Sequence, residues 1–332
     1  MHLPRVSIMI PTYNQEKYIL RAIDSALTQD YPNLDIVISD DHSPDNTQVL
    51  VENYLSKRRD SRVKYFRNSQ RLGILRNYKK TLYDYASGEW AINLDGDDFF
   101  IDPTFISCAV EVAREDEAVV LVFGNYSEFY ENSGKHVPIL NRKLPRTMSD
   151  EDFLMLFCFD KTSWNHSSIV YQRGRAIDLG FYWDESIPRN DWESFLRLII
   201  GKRVGHVTNV SSAWVLHEAN ETRKLDIGKY LNNFALIDGV TAFAVKSGLN
   251  AMRMQKWRRQ MLFRSARGSC IAYVRNRDFR GAAAFLRLAS KRSWTLPLRV
   301  IVNPGVLVRA LLSIDPSLYT RVKALARKLT LR

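Results

Sequence analysis

Glu89-Trp90-Ala91-Ile92-Asn93-Leu94 runs directly into Asp95-Gly96-Asp97-Asp98. An apolar strand that ends in three carboxylates is a costly arrangement, because like charges repel and each resists burial. It becomes favourable where a cation sits among the oxygens. Hard oxygen donors suit Mg²⁺ or Mn²⁺, which takes one or two carboxylates together with substrate phosphates. Gly96 would let the backbone approach a ligand closely. With no ligand, the same four residues would be a solvated acidic turn.

Upstream, the same grammar repeats. Val6-Ser7-Ile8-Met9-Ile10 reads as a strand that Pro11-Thr12-Tyr13-Asn14 breaks. Tyr18, Ile19, Ala22, Ile23, Ala26 and Leu27 then recur at helical spacing. Leu34-Asp35-Ile36-Val37-Ile38 is a second strand, ending at Ser39-Asp40-Asp41, and residues 46–55 continue as a helix. Ser43 and Asp45 are better placed than Asp40 and Asp41 to cap that helix, which leaves the latter pair free for a ligand. Residues 62–66 form a third strand and 76–86 a helix. Strands alternating with helices in this way predict right-handed βαβ units and a mostly parallel sheet, whose ligands bind beyond the carboxyl ends of the strands. Residues 119–123 and 168–171 add strands, and helices start at Ser149 and Asp191.

No G-x-G-x-x-G or G-x-x-x-x-G-K-[ST] follows the first strand, which disfavours a dinucleotide-binding dehydrogenase and a P-loop NTPase. A nucleotidyltransferase would place a Gly- and Lys-rich phosphate loop where Pro11-Thr12-Tyr13-Asn14 stands. The chain has 332 residues, 45% hydrophobic and 11% aromatic, which excludes disorder and implies about two domains. Cys108, Cys158 and Cys270 suit neither a disulfide framework nor a zinc site. No run reaches the roughly 18 apolar residues of a membrane span. Met1-His2-Leu3-Pro4-Arg5 leads straight into a strand, so no leader peptide and a cytoplasmic location are expected. The Asn-x-Ser/Thr triplets at Asn125, Asn165, Asn209 and Asn220 are then chance matches.

The net charge of +12 is divided unevenly. Residues 1–245 hold 28 Lys and Arg against 34 Asp and Glu, a balance of −6. Residues 246–332 hold 20 against Asp278 and Asp315, a balance of +18. Such a step marks a functional boundary and an anionic partner for the tail. The tail reads as helical, with Met254, Trp257, Met261 and Leu262 on one stripe and Asp278 as a cap. Leu318, Val322, Leu325 and Leu329 form another stripe beside Arg321, Lys323, Arg327 and Lys328, as in helices that lie on a membrane surface. A nucleic-acid partner would require the tail's aromatics to be exposed for stacking, whereas they fall mainly on these apolar stripes, so no nucleic acid is expected.

Taken together, the motifs resemble family 2 glycosyltransferases of the GT-A fold, over about residues 4–225. They are Val6 to Asn14, Ser39-Asp40-Asp41-His42-Ser43-Pro44-Asp45, Gly73-Ile74-Leu75-Arg76-Asn77, Leu94 to Asp98, and Asn190-Asp191-Trp192-Glu193. His42 stands where glycine is common and Asn190 where an acidic residue is common. The resemblance implies an α/β fold with a nucleotide-sugar-binding half at 1–118, an acceptor-binding half at 119–225 and a basic helical region at 226–332. It further implies that Tyr13 and Asp41 hold a pyrimidine base, supported by Asp40, with Pro11 in the same turn. Arg76 and Asp95 would reach the ribose or diphosphate. Asp97 and Asp98, with His217, would hold Mg²⁺ or Mn²⁺. Asp191 would be the general base, with Glu193 as the fallback, and Trp164, Asn165 and His166 would line the acceptor site. The activity implied is inverting transfer from a UDP- or dTDP-sugar to a glycan or lipid-linked hydroxyl in surface-polysaccharide synthesis. The place of work would be the anionic inner face of the cell membrane.

Overall fold

The computed structural model describes residues 3–141, 143–182, 190–217, 227–307 and 310. The chain divides into two compact units, Met1–Asn220 with Lys246–Leu249, and Glu221–Val245 with Asn250–Arg332.

The first unit is built on one sheet. Its strands are β1 Val6–Thr12, β2 Leu34–Asp40, β3 Val63–Arg67, β4 Trp90–Asn93, β5 Phe99–Phe100, β6 Val119–Tyr130, β7 Lys135–Ile139, β8 Thr147–Ser149, β9 Ile169–Gln172 and β10 Arg203–Leu216. Its helices are α1 Ile19–Leu27, α2 Thr47–Arg58, α3 Ile74–Lys80, α4 Phe105–Glu115, α5 Asp150–Cys158, α6 Arg173–Asp178 and α7 Asn190–Ile199. The strand order is β3-β2-β1-β4-β9-β6-β10-β5, with β7 on β6 and β8 on β10. The first four strands are mutually parallel. β9 then runs antiparallel to both β4 and β6, while β6 and β10 are parallel. The sheet therefore crosses residue 118 without a break, and the two halves expected from the sequence share it.

β1 and β2 are buried along their whole length, which is why they read as unbroken apolar runs. Ile8, Ile36 and Ile92 pack with Ala22 and Ile23 of α1 and with Phe105 and Ile106 of α4. β1 does not stop at Pro11 as expected but continues to Thr12. Its pairing with β4 ends at Met9, and the Pro11 carbonyl faces that side, where it accepts from Gly96 N at 3.3 Å. The missing proline N–H thus points past the end of β4 and removes no ladder bond. The helix expected over 76–86 is α3 followed by a single π turn, Thr81–Tyr85, closed by Ala86 N donating to Thr81 O at 2.8 Å.

The described part of the second unit is helical: α8 Ile227–Lys246, α9 Ala251–Arg275, α10 Phe279–Ala289 and α11 Leu296–Ile301. Asp278 caps α10 by accepting from Gly281 N at 2.8 Å. Trp257, Tyr273 and Phe285 are buried in its core, whereas Phe279 and Trp294 are exposed. No helix among the described residues is long and apolar enough to cross a membrane. The stripe from Leu318 to Leu329 lies outside the described residues.

At the amino ends of β1 and β2, Asp35 is buried and accepts from Ser7 Oγ at 3.0 Å, Ser87 Oγ at 2.7 Å, Ser87 N at 3.0 Å and Lys64 Nζ at 3.0 Å. Burial raises its pKa, but the Ser87 hydrogen bonds and Lys64 outweigh that and hold the carboxyl below its usual value. A depressed folded-state pKa stabilises above the unfolded pKa and is lost as pH falls through the folded value. Asp35→Asn is expected to destabilise the protein by roughly 1.5–3 kcal/mol at neutral pH. Urea titrations should show this gap closing as the pH is lowered into the acid range. A gap independent of pH would mean that packing, not charge, is the cause.

Candidate active site

The carboxyl ends of β1, β2 and β4 converge, as the sheet order dictates. Asp40 is fully buried and accepts from Ser43 N at 2.8 Å and Tyr65 Oη at 2.7 Å. Asp41 accepts from Leu72 N at 2.7 Å, Gly73 N at 2.8 Å and Asn68 Nδ2 at 3.1 Å. The expectation that both carboxylates stay free is therefore corrected: Asp40 closes the turn after β2, and Asp41 holds the 68–73 loop. A carboxylate offers about four acceptor positions, and these three bonds fill most of those of Asp41. His42, in the glycine position of the resemblance, has φ +61°, a left-handed conformation that glycine adopts most easily. Its ring Nδ1 lies 3.1 Å from Asn68 O. Tyr13 is capped by the Arg71 guanidinium, 4.0 Å from the ring centroid. Arg76 is exposed on α3, next to Asn77, which is tied to Ser39 of β2.

The turn after β4 is held from three sides. A Cβ on Gly96 would lie 2.8 Å from Thr12 Oγ1 and would overlap Gln15, so glycine serves packing against β1 here. Asp98 is 1% exposed, and its Oδ1 accepts from Val215 N of β10 at 2.9 Å. Asp97 Oδ2 lies 2.9 Å from His217 Nε2, and that imidazole stacks on Tyr18 at 4.9 Å between centroids. Tyr18 Oη donates to Glu131 at 2.7 Å, and burial with Glu131 pushes its pKa up to about 12. Arg21 Nη2 donates to Asp97 O at 3.2 Å. Asp95 accepts from Tyr78 Oη and lies 3.0 Å from His166 Nε2. The other ring nitrogen of His166, Nδ1, lies 3.7 Å from Asp191 Oδ2.

His166 thus stands between the turn after β4 and the first turn of α7. It sits there because Asn165 caps a short 3₁₀ turn, His166–Ser168, by accepting from Ser167 N at 2.9 Å. Burial opposes a charged imidazole, but the Asp95 and Asp191 carboxylates outweigh it and raise the His166 pKa well above its usual range. Burial raises Asp98 well above the usual carboxylate range too, with Asp97 and Asp95 adding to it. Along α7, Glu193 has a side chain only 4% exposed and lies 3.7 Å from Arg197, whereas the Asp191 side chain is 32% exposed.

The donor set fits a divalent cation. Asp98 Oδ2 and His166 Nε2 are both buried without a hydrogen-bond partner. Nε2 is within ion-pair distance of Asp95 but is not aligned for a hydrogen bond. Ligand atoms of Asp95, Asp98 and His166 lie within 4.8 Å of one another. Of the expected metal set, Asp97 and His217 form a pair, while Asp98 groups with Asp95 and His166. Sequence reading placed His166 only in the acceptor region and missed Tyr18, Arg21 and Tyr78. The one local signal for His166 was the Asn165-x-x-Ser168 capping pattern that fixes it. Trp164, expected to line the acceptor site, stacks on Phe153 at 4.6 Å between centroids and contacts Phe157.

A family model described as "Glycosyl transferase family 2" matches residues 7–174. A curated relative, the GalNAc(5)-diNAcBac-PP-undecaprenol beta-1,3-glucosyltransferase of Campylobacter jejuni, is 34% identical over 46% of this chain and 48% of its own length. The chain thus spans about half the length of that relative. Among solved structures, S. aureus TarS 1-349 in complex with UDP-GlcNAc superposes with a TM-score of 0.66 at 17% identity, covering 93% of this chain and 89% of that one. The mannosyltransferase PcManGT from Pyrobaculum calidifontis, in complex with GDP-Man and Mn2+, gives 0.58 at 17% identity, covering 93% and 88%. These likenesses show the GT-A fold.

Asp98→Asn keeps the Val215 contact and removes a buried charge. In EDTA at neutral pH the variant should melt higher than the wild type, by about 2 °C or more. Mn²⁺ with a nucleoside diphosphate should raise the wild-type melting temperature and leave that of the variant unchanged. Equal metal shifts in the two proteins would remove Asp98 from the cation site.

Proposed function

This chain belongs to family 2 of the glycosyltransferases, and from that premise we propose that it transfers a sugar, with inversion, from a UDP- or dTDP-sugar to a hydroxyl of a glycan or lipid-linked acceptor. The observation that carries this reading is the line Asp98, Asp95, His166, Asp191, in which a cation-binding turn faces a second carboxylate across one imidazole.

The roles follow from chemistry. Tyr13, backed by Arg71, offers a stacking face for the base, and Asp41 would accept from a ring N–H. Asp40 and Pro11 act through the turns they close. Arg76 lies on the helix behind that loop and serves the diphosphate. A divalent cation, Mg²⁺ or Mn²⁺, held by Asp98, Asp95 and His166 beside the Asp97–His217 pair, would offset the charge that grows on the departing diphosphate. The Mn2+ complex of the Pyrobaculum mannosyltransferase, which shares the fold, supports a divalent cation in general. Asp191 sits in the first turn of α7, where the helix dipole favours the ionised form. It takes the proton from the acceptor hydroxyl as that oxygen attacks the anomeric carbon. His166 Nδ1 orients the carboxylate. One displacement with one base inverts the centre.

Residues 1–118 would bind the donor and 119–225 the acceptor, with 226–332 as a basic helical region. A lipid-linked acceptor fits the relative whose name carries PP-undecaprenol. The +18 balance of residues 246–332 fits docking on the anionic cytoplasmic face of a membrane.

Asp191→Asn should leave donor affinity unchanged in calorimetry and lower transfer by about 10²–10⁴-fold. Glu193→Gln is the control, since Glu193 lies against Arg197 inside α7. An active Asp191→Asn alongside an inactive Glu193→Gln would move the base to Glu193.

A further inference from the structure

The helical unit holds an open cavity of about 690 Å³ whose lining includes Arg258, Arg259, Arg292 and Arg299. Its floor is apolar, formed by the buried Leu262 and Leu296. Among the described residues, Asp238 is the carboxylate paired with two of these four guanidiniums. Asp238 Oδ1 lies 2.6 Å from Arg258 Nε, and its Oδ2 lies 2.8 Å from Arg292 Nη1. Arg299 lies over the Phe263 ring, 4.7 Å from its centroid. Ser293 and Thr295 add two hydroxyls to the wall. Guanidiniums gathered around a cavity attract an oxyanion with several acceptor oxygens, because a guanidinium can give paired N–H donors to phosphate.

The same edge carries exposed apolar residues. Trp294 is 77% exposed, and Leu298, Ile301 and Val302 are exposed as well. Leu298 and Ile301 lie three apart on α11, Trp294 in the turn leading into it and Val302 at its carboxyl end, four residues either side of Leu298. Trp294 lies between the lining residues Ser293 and Thr295, and Leu298 precedes Arg299. Apolar side chains beside a cationic cavity match a molecule that is apolar at one end and anionic at the other.

We propose that this cavity binds the phosphate headgroup of an anionic membrane lipid, with Trp294, Leu298 and Val302 entering the acyl boundary. The proposal deepens the membrane reading of residues 246–332 and rests on it. It makes that docking selective for an exposed phosphate and not only for negative charge.

The test uses the full chain and co-sedimentation with vesicles of phosphatidylcholine alone, with phosphatidylglycerol, or with phosphatidate at matched surface charge. Wild type should prefer phosphatidate. Arg259→Gln with Arg292→Gln should weaken phosphatidate binding by roughly tenfold or more. Arg280→Gln with Arg287→Gln, an equal charge loss at exposed positions of α10 outside the cavity, should weaken it far less. Inorganic pyrophosphate should compete with phosphatidate for the wild type, and circular dichroism should confirm that both variants are folded. Equal losses in the two variants would reduce the effect to surface charge and overturn the site. Pyrophosphate binding at Arg259 and Arg292 with no vesicle binding would assign the cavity to a soluble anion and overturn the lipid. No binding to any vesicle would sink the membrane reading itself. Binding to phosphatidylglycerol and phosphatidate alike would sink only the selective cavity.

Discussion

The group on which the site depends is the Asp98 carboxylate, sealed from water with a hydrogen bond to one oxygen and none to the other. A buried charge left in that state costs several kcal/mol unless it is paired or neutralised. Three remedies compete: a proton, the His166 imidazolium, and a cation. The first is why burial raises the Asp98 pKa so far. The second and third exclude each other at one atom, since His166 Nε2 either carries a proton toward Asp95 or lends its lone pair to a metal. Proton and cation therefore compete for the same oxygen and nitrogen donors.

The same geometry joins two distant stretches of the chain. Asp95 stands at the end of β4, and Asp191 opens α7 far along the chain. β9, antiparallel to β4 and β6, places His166 between them through the turn that precedes it. Both carboxylates therefore touch one imidazole, from opposite ring nitrogens. A change in charge at Asp95 is felt at Asp191 through a single ring. The Asp97–His217–Tyr18–Glu131 chain does similar work on the far side of the turn, tying β10 and β6 to the start of α1.

The parts of the fold that were legible are those in which side chains declare their surroundings. β1, β2 and the run into β4 are buried on both faces and read as apolar; Ser149 and Asp278 cap helices with their own side chains. β10 was illegible because Thr208, Asn209, Ser211 and Ser212 interrupt its pattern. Those residues are answered by tertiary partners such as Asn125 O, which accepts from Ser211 Oγ at 2.8 Å, and by register shifts that absorb the irregularity. The carboxylate turn was legible because its cost is local. His166 was not, because its partners lie on β4 and α7 and nothing near it in sequence names them. Asp40 and Asp41 misled for the opposite reason: a local pattern left them free, and they are engaged by Ser43, by Tyr65 of β3 and by the 68–73 loop.

The charge step along the chain has an energetic meaning within the helical unit. Residues 251–301, which carry α9 to α11, hold 13 Lys and Arg against Asp278 alone, and like charges repel more strongly in a compact state than in an extended chain. Asp238 relieves that repulsion at Arg258 and Arg292. The opposing term is the apolar core of Met254, Trp257, Met261, Phe285 and Val300, all buried. The tail's large aromatics are therefore divided between two tasks. Trp257 and Phe285 are consumed in holding the helices together against their own charge. Trp294, on the rim, has no such duty and remains exposed. An anionic surface acts on such a unit as a ligand for the folded state, because it removes a repulsion that the unfolded chain feels less. The charge that opposes folding here thus comes from the same arginines that line the cavity, which ties the folding of this unit to the ionic environment in a way that the acidic first unit does not share.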